Sequence, residues 1–96
     1  MNKTLKSQLT AYFKKNSDMW VHKGTLTANI EWHDKKGARY LPETVGKALR
    51  LLESDHFIAV HPDRYNKSVE YRYIPLHMRE RYIPTSARTE KTKIWK

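Results

Sequence analysis

The sequence predicts an α+β domain in which the last helix runs directly into a β-hairpin. Residues 42–54 place Val45, Ala48, Leu49 and Leu52 at the i, i+3, i+4, i+7 spacing of a buried helical face. Pro42 suits the first turn of that helix, where its missing N–H costs nothing. Two β-prone runs follow, FIAV and SVEYRYI, separated by a Pro-Asp turn. The second run alternates apolar and polar residues, which is typical of a half-buried strand, so we expect the two to pair.

The N-terminal half predicts two further helices and one short strand. Apolar residues recur at helical spacing within residues 3–15, which predicts the first helix. A β-prone run at 19–22 predicts a short strand. A second helix is expected over 26–33, with Thr25 as its cap. Trp32 does not lie on the apolar face of that helix. We expect it to be either a partly buried lid on the domain or a contact residue.

The length of the chain limits how many domains it holds. At 96 residues it forms one domain at most, which we expect to span residues 1–75. Residues 76–96 contain Pro84 and the polar run TSARTEKTK, with too few apolar groups for a core of their own. This composition predicts a basic C-terminal extension that is extended or partly disordered. Its few apolar residues would dock on the body or on a second copy.

The charge balance favours a polyanionic partner. There are 19 Lys and Arg residues against 10 Asp and Glu residues, a formal net charge of +9. Nucleic acid is the commonest partner for such an excess, although a basic protein without such a partner would show the same balance. No apolar run approaches the roughly 20 residues of a membrane span. The N-terminal residues are too polar for a secretory signal and there is no cysteine, so we expect a cytoplasmic protein without a membrane partner.

Catalytic, cofactor and metal motifs are not recognisable in the sequence. The glycines, at positions 24, 37 and 46, are isolated, so no phosphate-cradling loop is present. The five histidines lack metal-binding spacing and there are no cysteine ligands. Carboxylates are few and scattered. We therefore expect neither enzymatic activity nor a cofactor nor a metal site.

The polar face of the 42–54 helix is the first candidate site. Glu43, Thr44, Lys47 and Arg50 lie opposite the apolar stripe. Arg and Lys donate to guanine O6 and N7 in the major groove, and Thr reaches a base or a phosphate. Glu43 would accept from cytosine or orient Arg50. An ordinary solvated helix face has the same composition, but a position just before a basic hairpin favours contact with bases.

Two further groups are candidates for contact with the phosphate backbone. The charged loop before the helix would lie against phosphates. The 61–68 turn would grip phosphates or enter the minor groove, an interpretation nearly level with that of an ordinary polar turn. The residues concerned are Lys35, Lys36 and Arg39 in the loop and Arg64, Asn66 and Lys67 in the turn.

A basic helix followed by a two-stranded hairpin is the winged helix-turn-helix plan. Over residues 3–75 the chain resembles small winged helix-turn-helix proteins of bacteria, phages and archaea. The positions that carry the resemblance are Thr44, Val45, Lys47, Leu49, Arg50, Leu52, Ile58, Val69, Tyr71 and Arg72. It implies three helices and a two- or three-stranded sheet. It also implies that Thr44, Lys47 and Arg50 face DNA and that the 61–68 turn is the wing.

The leading hypothesis is therefore a double-stranded DNA-binding protein, most naturally a small transcriptional regulator. Helix 42–54 would read the major groove and wing 61–68 would contact the backbone, with a homodimer on two half-sites about one helical turn apart. The alternative is a protein-interaction module that docks on a nucleic-acid enzyme, which Glu43 on the polar face fits slightly better. A third hypothesis is single-strand binding by stacking on Trp32, Tyr65 and Trp95.

Overall fold

Helices and a three-stranded antiparallel sheet form the body of the protein. The structure is a computed structural model that describes residues 4–61, 69–88 and 94–96. In chain order the elements are α1 (Leu5–Lys15), β1 (Val21–His22), a π-helical turn (Thr25–Asn29), α2 (Pro42–Ser54), β2 (Ile58–Val60), β3 (Glu70–Tyr73) and two 3-10 segments (Leu76–Arg81 and Thr85–Ala87). The predicted α+β class is confirmed. None of the helices in the described ranges is long and apolar enough to cross a membrane.

Helix α1 begins and ends with side-chain caps. The Thr4 hydroxyl accepts a hydrogen bond from the Ser7 N–H at 3.1 Å, which satisfies one of the free donors of the first turn. At the other end the Asn16 side-chain amide donates to the Tyr12 carbonyl at 2.9 Å. Leu9 and Phe13 lie on the face of α1 that points to α2 and the sheet, and both are completely buried. The first helix was therefore predicted correctly, with its start two residues later than expected.

The second helix is shorter than predicted and is not an α-helix. Residues 25–29 form a single π-helical turn, in which the Ile30 N–H donates to the Thr25 carbonyl at 3.0 Å. An α-helix would direct that N–H to the Leu26 carbonyl. The Trp32 indole N–H occupies the Leu26 carbonyl instead, at 2.7 Å. The prediction of a helix over 26–33 was wrong because the chain becomes extended at Ile30 to bring this indole inward.

The sheet has the strand order β1-β3-β2, with both neighbouring pairs antiparallel. Tyr71 on the central strand pairs with Val21 on one side and Val60 on the other. The hairpin of β2 and β3 was predicted from the alternation of the second strand. Side chains alternate between the two faces of a strand, so Ile58 and Val60 point to the helices while Ala59 points away from them. The main core accordingly lies between α1, α2 and one face of the sheet.

The segment after β3 covers the second face of the sheet. Ala59, Ile74 and Tyr82 form a separate buried cluster, with Trp95 packed against it. Tyr82 is 1% exposed and pairs with Trp95 in an isolated antiparallel bridge. The sequence led us to expect an extended or partly disordered extension. In the described residues 76–88 and 94–96, two 3-10 segments and this bridge lie against the body, so the sheet has protein on both faces.

A buried carboxylate joins this extension to α2. Glu53 is 6% exposed. It accepts hydrogen bonds from the Tyr82 hydroxyl at 2.6 Å, the Thr85 hydroxyl at 2.8 Å and the Thr85 N–H at 3.2 Å. The Tyr82 oxygen in turn accepts from the Val60 N–H at 2.9 Å and from Arg88 at 2.7 Å. We call these five residues the Glu53 network.

Removal of the Tyr82 hydroxyl should destabilise the protein strongly for so small a change. Tyr82→Phe leaves the Val60 N–H and one Glu53 oxygen without this partner in a buried site, an effect of about 1.5–3 kcal/mol. Urea unfolding measures the loss. The matched control is Tyr40→Phe, because the Tyr40 hydroxyl has no hydrogen-bond partner in the described part of the chain. Equal stabilities of the two variants would contradict a structural role for the network.

The protein should also lose stability at alkaline pH. Burial and the hydrogen bond to Glu53 raise the pKa of Tyr82 above its ordinary value of 10.0. Because the folded-state pKa is the higher one, this contribution is complete below pH 10 and declines above it. The loss is at most about 1.4 kcal/mol per pH unit. The unfolding free energy, measured between pH 8 and 11, should therefore fall less with rising pH in Tyr82→Phe than in the wild type.

Candidate nucleic-acid interface

Helix α2 is the element that positions the candidate site. It runs over Pro42–Ser54, the bounds predicted from the sequence, with the proline in its first turn. Val45, Leu49 and Leu52 are at most 1% exposed and fix the rotation of the helix against the core. Since these three residues hold one side inward, the residues on the opposite side are turned to solvent.

The four predicted reading residues share that outer side. Glu43, Thr44, Lys47 and Arg50 are all exposed. Spacings of three and four residues put Lys47 beside Thr44, Glu43 and Arg50 on the helix surface. The side chains of Lys47 and Arg50 make no hydrogen bond or ion pair within the described ranges. The outer side of α2 thus presents two cations and a hydroxyl with their hydrogen-bonding capacity free. We call Thr44, Lys47 and Arg50 the open face of α2.

Glu43 has a structural explanation beside the functional one. It lies in the first turn of α2, and Leu41 at the cap position gives no side-chain hydrogen bond to that turn. A carboxylate there compensates the positive end of the helix dipole, typically by 0.3–1 kcal/mol. Glu43 also precedes Lys47 by four residues, the favourable orientation for an ion pair on a helix surface. An acid on a basic face is therefore consistent with the stability of α2.

The Arg50 charge affects Tyr71, which lies on the central strand of the sheet. Burial raises the pKa of the Tyr71 hydroxyl, and the Glu53 carboxylate raises it further, while the Arg50 guanidinium opposes both effects. Arg50 therefore lowers the pKa of the Tyr71 hydroxyl although its own side chain is exposed.

The loop before α2 is an ordered hairpin. The Tyr40 N–H donates to the Trp32 carbonyl at 2.8 Å, and His33 and Arg39 form an antiparallel bridge. We call residues 32–40 the basic hairpin. Lys35 and Lys36 lie at its tip; both are exposed, and neither side chain has a hydrogen-bond or ion-pair partner in the described residues.

Arg39 differs from these two lysines because an acid lies beside it. Its guanidinium is 3.8 Å from the Glu31 carboxylate, which also lies 3.7 Å from the His33 ring. This pair is about half exposed, so it contributes little to stability. It nevertheless offsets part of the Arg39 charge on the stem of the hairpin.

The three predicted wing residues, Arg64, Asn66 and Lys67, lie outside the described residues. The stem of that turn is described: the His61 N–H donates to the Glu70 carbonyl at 2.9 Å, continuing the pairing of β2 and β3. On the other side of β3 the Lys23 N–H donates to the Val69 carbonyl at 2.7 Å. The turn therefore leaves the sheet from a three-stranded base.

The arginines of the C-terminal segment are bound within the protein. Arg79 donates to the Ile74 carbonyl and the Tyr73 hydroxyl and stacks 4.5 Å from the Phe57 ring. Arg81 donates twice to the main-chain oxygen of Lys96, at 3.2 Å in each bond. Arg88 belongs to the Glu53 network. These cations hold the segment in place, so they are poor candidates for contact with a polyanion.

Of the three residues suggested for single-strand stacking, the two that the structure describes, Trp32 and Trp95, pack against other aromatic rings of the protein. Trp32 is 7% exposed and packs edge-on against Tyr12, with 5.7 Å between ring centroids. Trp95 packs against Tyr82 at the same distance, and Tyr65 lies outside the described ranges.

Among the residues that the structure describes, no three His, Asp or Glu side chains lie close enough together to hold a metal ion.

Two residues near the open face were missed by sequence reasoning. The Lys23 side chain lies against α2, where its Cε is 4.0 Å from the position a Cβ would take on Gly46. Only the three-dimensional contact reveals this, since the two residues are far apart in the sequence. Leu51 is 60% exposed on the same side as Thr44 and Lys47. Its departure from the i, i+3, i+4, i+7 stripe was the available signal.

Comparisons of the chain with known protein families, with curated proteins and with solved structures find no match. The functional assignment therefore depends on the geometry of the chain itself.

A substitution at Gly46 tests whether α2 can be stabilised without any change to the candidate site. Glycine inside a helix is less favourable than alanine by about 0.8–1 kcal/mol. A Cβ at Gly46 would meet only the flexible end of Lys23 at 4.0 Å, an ordinary contact. Gly46→Ala should therefore raise the unfolding free energy by about 0.5–1 kcal/mol in urea unfolding. A lower unfolding free energy for Gly46→Ala would mean that the Lys23 side chain lies closer to Gly46 than the 4.0 Å of the structure.

Proposed function

We propose that this protein binds double-stranded DNA, with α2 in the major groove. The open face of α2 carries the proposal. Thr44, Lys47 and Arg50 are exposed, lie on one side of a regular helix and have no acidic hydrogen-bond or ion-pair partner among the described residues. The arginines of the C-terminal segment are held by protein acceptors, whereas Lys47 and Arg50 on α2 and Lys35 and Lys36 on the basic hairpin make no hydrogen bond or ion pair among the described residues.

The order of the elements supports a winged helix-turn-helix arrangement. A helix, a short strand, a helical turn, a second long helix and a β-hairpin follow one another, and the first strand joins the hairpin at its second strand. In this arrangement the 25–29 turn takes the place of a full second helix. In such a complex the wing residues Arg64, Asn66 and Lys67 would contact the backbone beside the groove.

The dimensions of α2 suit the proposed groove. A helix of 13 residues is about 20 Å long and, with its side chains, about 10–12 Å across. The major groove of B-DNA is about 12 Å wide and admits one helix. In that position Arg50 and Lys47 would donate to guanine edges or phosphates, and Lys35, Lys36 and Arg39 would reach the phosphates at the start of α2. Transcriptional regulation by a homodimer on two half-sites is the role we assign to such binding.

A second candidate function is docking on another protein, and Leu51 favours it. This residue is 60% exposed among the polar groups of α2, where an apolar side chain suits a protein surface. Glu43 on the same side would pair with a cation of that partner. In DNA the same leucine would contact a thymine methyl group, so Leu51 alone does not decide between the two.

Selection from a random duplex pool tests the main proposal. The purified full chain is mixed with the pool at about 0.15 M salt, where long-range surface electrostatics are screened, and the bound fraction is sequenced. We expect enrichment of one motif, two-fold symmetric if the protein binds as a dimer. Absence of duplex binding would reject the proposal and favour the protein partner. Binding without enrichment would reject sequence readout by α2.

Single substitutions then separate base readout from backbone contact. Arg50→Ala should lower discrimination at one base-pair position of the selected site by about 1–3 kcal/mol. Lys67→Ala should weaken binding evenly on all sequences and reduce the dependence on salt. Lys14→Ala on α1 removes the same charge away from the open face and is the matched control. Losses that are equal and independent of sequence for Arg50→Ala and Lys14→Ala would exclude direct readout by this helix.

A further inference from the structure

We propose that the tip of the basic hairpin is a preformed phosphodiester-binding element, and that Asp34 is the residue that positions it. The proposal rests on the DNA-binding function above and names the group that prepares Lys35 and Lys36 for the backbone. Asp34 would then be an acid that strengthens binding to a polyanion.

Asp34 organises the turn through main-chain hydrogen bonds. Its side-chain Oδ1 accepts from the Lys36 N–H at 2.9 Å and from the Ala38 N–H at 3.0 Å. Its own carbonyl accepts from the Gly37 N–H at 3.0 Å, and its N–H donates to the Ala38 carbonyl at 2.8 Å. Gly37 has a φ of +89°, the left-handed conformation found after the turn in three-residue hairpin loops. The turn that carries both lysines is therefore closed by main-chain bonds that converge on one aspartate.

The stem of the hairpin is fixed to the body. Trp32 is buried, and its carbonyl pairs with the Tyr40 N–H at 2.8 Å. The Gln8 side chain donates to the His33 carbonyl at 2.8 Å, which ties the stem to α1. The turn therefore projects from a rigid base.

The charges at the tip point to an anionic ligand. Lys35 and Lys36 are exposed and have no acidic partner in the part of the chain described. Asp34 is half-buried, and the oxygen that accepts the two N–H groups is directed into the turn. The two ammonium groups thus face solvent on a turn whose conformation needs no further ordering on binding.

The position of the hairpin matches a phosphate next to α2. Only five residues separate Lys36 from Pro42, the first residue of the helix. A chain of that length spans at most about 20 Å, so the lysines lie within reach of the strand that borders the groove occupied by α2. A flexible loop would lose conformational entropy when its lysines engage a phosphate, whereas a capped turn has lost it during folding.

Two substitutions at one position test the role of Asp34. Both Asp34→Asn and Asp34→Ala raise the net charge by one, but asparagine keeps a side-chain oxygen that can accept the two N–H bonds. If the charge of Asp34 alone mattered, both variants would bind duplex DNA more tightly and equally. We expect D34N to bind at least as tightly as wild type. We expect D34A to bind about 5- to 30-fold more weakly than D34N, the factor for ordering one backbone residue.

Two further measurements identify the source of that difference. Gly37→Ala disturbs the same turn through its positive φ without changing charge, and nothing lies within 4 Å of the added Cβ, so it should also weaken binding. In a background with Lys35→Ala and Lys36→Ala, D34A and D34N should bind equally, because the lysines that the turn positions are gone. Unfolding midpoints confirm that each variant is folded at the temperature of the assay.

The outcomes separate this inference from the proposed function. Wild-type protein that does not bind duplex DNA rejects the proposed function, and this inference with it. Wild-type protein that binds, with equal affinities for D34A and D34N, overturns the role of Asp34 alone. A difference between D34A and D34N that persists without the two lysines overturns the assignment of the phosphate contact to Lys35 and Lys36.

Discussion

The Glu53 carboxylate is the constraint on which the arrangement of this protein depends. It is the buried acidic side chain of the described residues, and a buried charge without partners is strongly destabilising. Its hydrogen bonds come from Tyr82 and Thr85, and the Tyr82 hydroxyl is shared with Val60 and Arg88. The hydrogen bonds that this buried carboxylate needs therefore hold α2, β2 and the C-terminal segment together. The sheet is closed on its second face as a consequence.

Helix α2 has three sides, and each side has a different environment. One side enters the core through Val45, Leu49 and Leu52. A second side carries Glu53 to the C-terminal segment. The third side, the open face, is left to solvent. Because both inner sides are fixed by close contacts, the helix has little freedom to rotate. An exposed face whose direction is fixed in this way is the property that a groove-reading helix needs.

The extent to which the sequence predicted the structure follows from how each element is stabilised. The bounds of α2 and the exposure of Lys47 and Arg50 follow from one helical period, which depends on local spacing alone. The second helix was predicted wrongly because the indole of Trp32, six residues further along the chain, donates to the Leu26 carbonyl that the helix required. Docking of the apolar C-terminal residues on the body or on a second copy was expected, but the hydrogen bond from Tyr82 to Glu53 was not, because the sequence places Glu53 as an ordinary polar residue of a helix. That bond joins residues remote in the sequence, whereas the bond from Trp32 to Leu26 is local.

The acids of this basic chain suggest how its positive charge is kept available. Asp55 pairs with Lys6 at 2.8 Å, and Glu31 lies beside Arg39, both away from the open face. Asp34 and Glu53 accept hydrogen bonds from within the fold, the first from two main-chain N–H groups. Acids placed in these roles form no ion pair, among the described residues, with the lysine and arginine of α2 or the lysines of the hairpin tip. The electrostatic potential that would attract a polyanion therefore depends on the positions of the acidic side chains as much as on the number of basic ones.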